Sequence, residues 1–537
     1  MDVKLVGFRR ALVGACQGLA ILGGMVSMAQ AQPVAQVRAY SVVDNTLLPQ
    51  ASIDAVLASR TGTLSFADIQ KSAQLLQEAY RQAGYGAVVV QIPEQNLSAG
   101  VVKLEVVEGR LSYVNVTGLN VLGKDNILRS LPALQLKATP QLHALDRELL
   151  MANESPAKFT RVVFQPGEKR GEIEALAIVE EHMPLKWQTS LDNTGNDATG
   201  RYRLALSYQN PNVADTDSVL SVRATTSPTD SSQVGLMSAS LRVPLYDYKT
   251  FLEWSAMVSN TKNSPNTTPA GELRFSGEGA SMGVRAIWMV PTLGEYKQQA
   301  AVGVESRRSK NSCSLGSFGA AGCGTAAASV DVFPLTLGYG VQKPNVWLGA
   351  VQWVQSLPLD PAGSDDAHFA AVRPGAKSDY GYLKANGQGV VGLTERWSLA
   401  WRVEGQASAQ VLVSAEQFGA GGASSVRGYQ ERALFGDSGA AASLELRTPV
   451  ASWLDAKDTA PNLTVAVFAD AAQVSNQRGT ACTTGRTQCD IWSVGTGLSW
   501  RPTAQSNLRA DVGRAGLALG DTAVGNWYLH FTMNHSF

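Results

Sequence analysis

Beyond residue 31 the sequence has no apolar run long enough to cross a bilayer as a helix, so any membrane crossing has to be made by strands. Charge is scarce as well. Charged residues make up 17% of the chain and the net charge is zero, which leaves no basic excess for binding nucleic acid. There are five histidines, none clustered with cysteine, so neither a metal centre nor a cofactor is expected. A glycine-rich phosphate-binding loop is also missing, and with it a way of using ATP. Glycine, in contrast, is abundant (51), and aromatic residues are spread along the chain. Mean hydropathy lies near zero, as it does when lipid-facing and water-facing residues alternate along strands.

Residues 1–31 have the form of a secretory leader. Lys4, Arg9 and Arg10 supply a basic start, Ala11 to Met28 an apolar stretch, and Ala29-Gln30-Ala31 a cleavage site, so the mature chain is expected to begin near Gln32. Val13-Gly14-Ala15-Cys16 faintly resembles a lipoprotein box, but most of the apolar stretch follows Cys16, on the wrong side for that cleavage. Four cysteines remain. Cys313 and Cys323 share one Gly/Ala/Ser-rich stretch and Cys482 and Cys489 another, so each pair can staple a short loop in an oxidising compartment.

Residues 37–183 read as one motif used twice. The first copy predicts a strand at Val37 to Val43, a short helix around Ser52 to Ala58, and a helix from Phe66 to Ala83 capped by Ser65 with Asp68 three residues on. Ile69, Ala73, Leu76, Tyr80 and Ala83 form the buried stripe of that helix, and strands at Ala87 to Ile92 and Val101 to Val107 follow. The second copy repeats the order. Val114 to Val116 opens it, Lys124 to Leu131 and Pro140 to Ala152 are helices, the latter capped by Thr139, and Phe159 to Phe164 and Ile173 to Val179 are strands. Three segments, "NTLLP", "LSFADIQKSAQLLQEAYRQAGY" and "VVKLEVVEGRL", resemble the POTRA domain of two-partner secretion transporters. The expected domains are a leader at 1–31, POTRA domains at 32–113 and 114–183, and a barrel from 184 to 537.

From Leu185 onward the helical period gives way to alternation. Tyr202, Leu204, Leu206 and Tyr208 alternate with polar or small neighbours, and so do Trp397, Leu399, Trp401 and Val403. About sixteen such segments follow, each near the length of an outer-membrane strand, and the even number suits a bacterial barrel. With the front domains in the periplasm, links after odd-numbered strands face outward and are the longer ones. Gln209-Asn210-Pro211-Asn212 and Gln342-Lys343-Pro344-Asn345 are expected as tight inner turns, and Ser259 to Glu272 and Arg307 to Ser329 as polar outer links. Both cysteine pairs fall in outer links, after the seventh and thirteenth segments. The last segment alternates without a break: Trp527, Leu529, Phe531, Met533, His535 and Phe537 share one face. A final strand ending in an aromatic residue resembles the signal by which barrels are recognised for insertion; Phe537 serves equally as a lipid anchor, and the two roles are compatible.

The link after the eleventh segment, roughly 411–439, is long and Gly-rich, which marks a segment that folds inward or carries function. It contains Val426-Arg427-Gly428-Tyr429, and Phe468-Ala469-Asp470 stands in the thirteenth segment. The tetrad and the Phe-x-Asp triad resemble the inward-folded loop of two-partner secretion transporters and the wall motif its arginine meets. That resemblance implies a contact between Arg427 and Asp470. A guanidinium can reach a carboxylate bidentately, and Gly428 permits a sharp bend beside it. Gly436-Asp437-Ser438-Gly439 resembles the nucleophile segment of chymotrypsin-like proteases, but its continuation differs and neither His368 nor His530 stands in a triad-like setting, so it reads as a turn and no catalytic residue is expected. The plugging N-terminal helix common in that family has no expected counterpart in the few residues after Gln32.

The reading is therefore a membrane all-β barrel of about sixteen antiparallel strands behind two periplasmic α+β POTRA domains, resident in the bacterial outer membrane. The resemblance implies export of an unfolded haemolysin- or adhesin-type exoprotein, and insertion by the barrel assembly machinery. An assembly factor built on the same scaffold is the main alternative. A passive porin would have no use for the front domains.

Overall fold

The computed structural model describes residues 34–182, 186–197, 199–262, 266–268, 271–315, 317, 323, 328–359, 363–450, 462–479, 481–482 and 486–537. The proposed leader lies outside them. The described residues form two units, one comprising 34–83 together with 88–108, the other those of 84–87 with 109–537.

The first unit is a three-stranded sheet in which Val101–Glu108 is central, parallel to Ala39–Val43 and antiparallel to Val88–Gln91. Helix Phe66–Gln82 covers it, burying Ile69, Ala73, Leu76 and Tyr80, while Ala83 is the half-buried cap. The Ser65 side chain accepts from the Asp68 amide and Asp68 reciprocates to the Ser65 amide, a capping box. These bonds from Ser65 hold the Asp68 carboxyl below the usual carboxylate range. The single strand expected at 37–43 is two. Val34–Val37 pairs with Gly62–Ser65, a strand the sequence reading passed over, and the chain breaks at Arg38, where the amides of Arg38 and Ala39 both turn to the Gly100 carbonyl.

The second copy repeats that sheet order with Glu172–Glu181 central, parallel to Arg110–Thr117 and antiparallel to Lys158–Pro166. Helices Lys124–Ser130 and Leu142–Ala152 pack on it around Leu111, Ile127, Leu131, Leu145, Ala175 and Ala177. The second helix starts later than expected. Its cap is Gln141, whose side chain accepts from the Ala144 amide at 2.6 Å, and not Thr139.

Sixteen antiparallel strands then close a barrel, the last, Trp527–Ser536, pairing with the first, Lys186–Asp192. Alternation sets the faces. On the final strand Trp527, Leu529 and Met533 are exposed on the outer face, Phe531 is half-buried, and His530 is buried on the inner face. Phe537 ends the chain with its amide bonded to the Trp187 carbonyl at 2.8 Å, which ties the closure.

Three link expectations change. Gln209 to Asn212 lies within strand Arg203–Val213, with Pro211 at a break in register where its missing N–H is tolerated. The turn comes later, at 214–217, where Ala214, Asp215 and Asp217 take positive φ. On the outer side, strands Gly271–Leu293 and Tyr296–Leu315 run for 23 and 20 residues, so much of the two segments expected as polar links is sheet. Small and polar residues continue the ladder because pairing satisfies the backbone in water as well as in lipid.

Cys313 is bridged to Cys323 and Cys482 to Cys489, with Cα separations of 6.0 and 6.3 Å. Cys313 and Cys489 belong to strands Tyr296–Leu315 and Gln488–Arg501, so each bridge ties a strand end to its link. Reducing either should cost about 2–3 kcal/mol through the freedom regained by the unfolded chain. Mass spectrometry of unreduced protein should find none of the four as free thiols; finding all four free rejects both bridges.

Candidate functional site: the inward loop and the barrel wall

The long link leaves strand Ser398–Ala407 and rejoins the wall at strand Ser438–Pro449. Within it Phe418–Ala420 and Leu434–Gly436 pair as a ribbon. Ala420, Val426, Tyr429 and Leu434 are fully buried, packed with Ala472, Val474, Ile491 and Ala515 of the inner wall, so the loop occupies the lumen. Its attachment is partly apolar, and specificity comes from the tip.

Arg427, 2% exposed, sits at that tip. Asp470 of strand Asn462–Ser475 accepts its backbone amide at 3.0 Å, Nε at 2.8 Å and Nη2 at 2.8 Å. Arg427 Nη1 reaches Glu445 Oε2 at 2.7 Å and Asp511 Oδ1 at 3.4 Å, and Nη2 donates to Ser443 Oγ at 3.2 Å. Underneath, the Phe468 ring lies 3.4 Å from the guanidinium carbon, where its π-face attracts a cation. Two of the three carboxylates are shared with further cations: Arg509 bonds Glu445 and Asp511, and Arg447 bonds Glu445. Three guanidiniums thus face three carboxylates, and a charge removed from one side leaves the other unbalanced.

Gly428 takes φ +100 and lies against the wall at Gly513; a Cβ on Gly513 would come within 2.6 Å of the Gly428 nitrogen. Gly513 has no room for a side chain, and at Gly428 the left-handed φ together with contacts from 3.2 Å disfavours one. The Gly428 amide points to His530 Nε2 at 3.4 Å. Tyr429 ends the tetrad, its hydroxyl accepting from the Leu517 amide at 3.0 Å and lying 3.1 Å from the Trp492 carbonyl. Residues 426–429, 468 and 470 therefore meet at one place.

A second polar knot holds the foot of the loop. Asp437, fully buried, pairs with Arg373 and accepts the amides of Leu412 and Gln477, each at 2.9 Å. Glu416 bonds Arg307 at 2.8 Å and the Tyr382 hydroxyl at 2.6 Å. Ser438 is engaged on both sides by the Ser408 backbone, and His368 bonds Asp365, so the protease-like segment is structural. Among the described residues no cluster of His, Cys, Asp and Glu could hold a metal.

Sequence reading missed Glu445, Ser443, Asp511, Arg509, His530 and Gly513. The signal available was alternation: Ser443-x-Glu445-x-Arg447 and Arg509-x-Asp511-x-Gly513 each place three residues on the inner face of strands next to, or one strand away from, Asp470.

Repeated periplasmic domains and a closed barrel filled by a pinned loop define the POTRA-plus-barrel class of outer-membrane transporters. Residues 175–500 match the family model of the haemolysin secretion/activation proteins ShlB/FhaC/HecB, and residues 35–109 that of the ShlB-type POTRA domain. The chain belongs to this family of two-partner secretion transporters, a family of secretion channels and not of enzymes. Its place is the outer membrane, with the POTRA domains in the periplasm. It is 24% identical to the outer membrane transporter CdiB of Dickeya dadantii (strain 3937) over 414 residues, 74% of this chain and 69% of that one. The heme/hemopexin transporter protein HuxB of Haemophilus influenzae (strain ATCC 51907 / DSM 11121 / KW20 / Rd) is 26% identical over 144 residues, about a quarter of either chain. In fold it is similar to CdiB from Escherichia coli (TM-score 0.78, 17% identity, 96% of this chain and 93% of that one). CdiB from Acinetobacter baumannii is alike too (TM-score 0.72, 15% identity, 95% and 91%).

Proposed function

We propose that this transporter captures an unfolded exoprotein of haemolysin or adhesin type through its POTRA domains, at about 32–113 and 114–183, and passes it outward through the barrel without ATP. The observation that supports capture is an open sheet edge. Ala39–Val43 pairs on one side only among the described residues, whereas the opposite edge, Val88–Gln91, has its Val90 amide occupied by the Gln77 side chain at 3.1 Å. An extended cargo segment can add a strand at Ala39–Val43. Contact of Arg427 with Asp470 fixes the loop during the cycle, and folding of the cargo outside opposes its return. Trp527, Phe531 and Phe537 serve the barrel assembly machinery as the insertion signal.

Vesicles holding the purified chain and no nucleotide, given the N-terminal fragment of a large secreted polypeptide encoded beside it, test the reading. The fragment should cross and become protected from external protease. Crossing that depends on added ATP, or none at all, overturns it.

A further inference from the structure

Away from the loop, a knot of buried polar side chains lies where the second POTRA domain meets the inner turns of the barrel. The Lys158 side chain, fully buried at the start of strand Lys158–Pro166, donates from Nζ to Asp217 Oδ2 at 2.7 Å and to Asn126 Oδ1 at 2.5 Å. Asp217, in the first inner turn, also accepts from Asn126 Nδ2 at 3.1 Å and from the Tyr246 hydroxyl at 2.6 Å. Apolar contact surrounds the quartet: Met151 and Ala152 of the POTRA helix pack with Tyr246, Phe251 and Ile287 of the barrel. Burial pushes the Lys158 ammonium down, and Asp217 opposes that shift.

The joint is built rather than incidental. Its turn holds three non-glycine residues, Ala214, Asp215 and Asp217, in the left-handed region, strain that survives only where surrounding contacts enforce it. At the next two inner turns the barrel also pairs with the domain, with the charges exchanged and less burial. Lys249, itself at φ +52, reaches Glu148 Oε1 at 2.6 Å, and Lys297 reaches Glu154 at 3.3 Å. Apolar surfaces alone can slide past each other, but a buried, fully hydrogen-bonded ion pair is satisfied in one geometry, and separating it strands a charge.

We propose that Lys158 and Asp217 are positioning residues for export, holding the second POTRA domain in one orientation at the barrel mouth so that captured cargo is delivered to the lumen in register. The proposal rests on the export reading above. It requires that the joint stay closed throughout transport, with any domain motion occurring elsewhere.

Lys158→Met keeps the stem and removes the charge. Spin labels at exposed Val163 on the domain and exposed Leu293 on an inner turn should show a broadened distance distribution in this variant. Export should fall at least about tenfold, as displaced positioning groups do, with the heat resistance of the barrel on gels unchanged. A lock supplies the second arm. A Cβ on Gly123 lies 3.8 Å from the Asp215 carboxyl carbon, so Gly123→Cys with Asp215→Cys can bridge the joint. Oxidised, with the parent protein under the same treatment as control, this lock should leave export unchanged and should restore it in the Lys158→Met background. Three results overturn the proposal: a lock that blocks export, Lys158→Met exporting like the parent, or a lock that restores nothing. If Lys158→Met does not fold, Tyr246→Phe, which removes one donor to Asp217, should give a smaller broadening and a smaller loss of export; no change in either overturns the proposal. Failure of the parent to export any cargo is a different outcome and counts against the export reading itself.

Discussion

Arg427→Ala is expected to stop export while leaving the barrel inserted and heat-resistant. The guanidinium is buried, and its loss takes from Asp470 the cation it is paired with, while Glu445 and Asp511 keep Arg509. Removing one side of a buried pair costs about 3–5 kcal/mol, against at most about 1 kcal/mol for an exposed pair. That cost falls on the loop position, because the sheet ladder of the wall does not pass through Arg427. Asp470→Ala should be milder, since Glu445 and Asp511 still neutralise Arg427. The exchange Arg427→Asp with Asp470→Arg should not rescue, because a carboxylate at 427 would meet Glu445 and Asp511. A double-mutant cycle on export rate should give a coupling of about 1–3 kcal/mol between 427 and 470. Two single defects that merely add would show that the pair does not act as a unit.

The second large effect is expected from removing the first periplasmic unit. Deleting residues 34–108, with residues 1–33 kept, should reduce export to the level of a strain without the chain, while the barrel still inserts. The end point matters. Strand Arg110–Thr117 spans the expected boundary at 113 and buries Leu111 in the second core, so a deletion running to 113 would damage both domains at once. Capture is assigned to the Ala39–Val43 edge, and its loss leaves the lumen without a feed. Unchanged export from an inserted, truncated barrel would remove capture from this unit.

Period-2 patterning made much of the fold legible. Trp527 to Phe537 could be placed in the sequence because each side chain belongs unambiguously to lipid or lumen, and one slipped residue would exchange the faces. Arg427 and Asp470 were legible through a motif and its distance along the chain. Glu445 and Asp511 were not, because a charge on an inner face looks the same whether it lines water or cages a guanidinium. The joint of Lys158 and Asp217 was hidden for a different reason: it depends on where a turn falls, and the register break around Pro211 moved that turn by several residues. Outer links were misjudged because a hairpin in water has no lipid face to bias its composition, so its strands read as polar loop.

The overshoot of strands Gly271–Leu293 and Tyr296–Leu315 has a practical consequence. At ~3.4 Å per residue a 23-residue strand is ~78 Å long, whereas a lipid band ~25 Å tall takes ~10 tilted residues. Roughly half of this hairpin therefore stands clear of the bilayer as a fin, with the Cys313–Cys323 bridge at its outer end. On an intact cell that fin is open to an antibody or a protease. It is also the natural place for an epitope tag, because a tag there is displayed well away from both the lumen and the lipid.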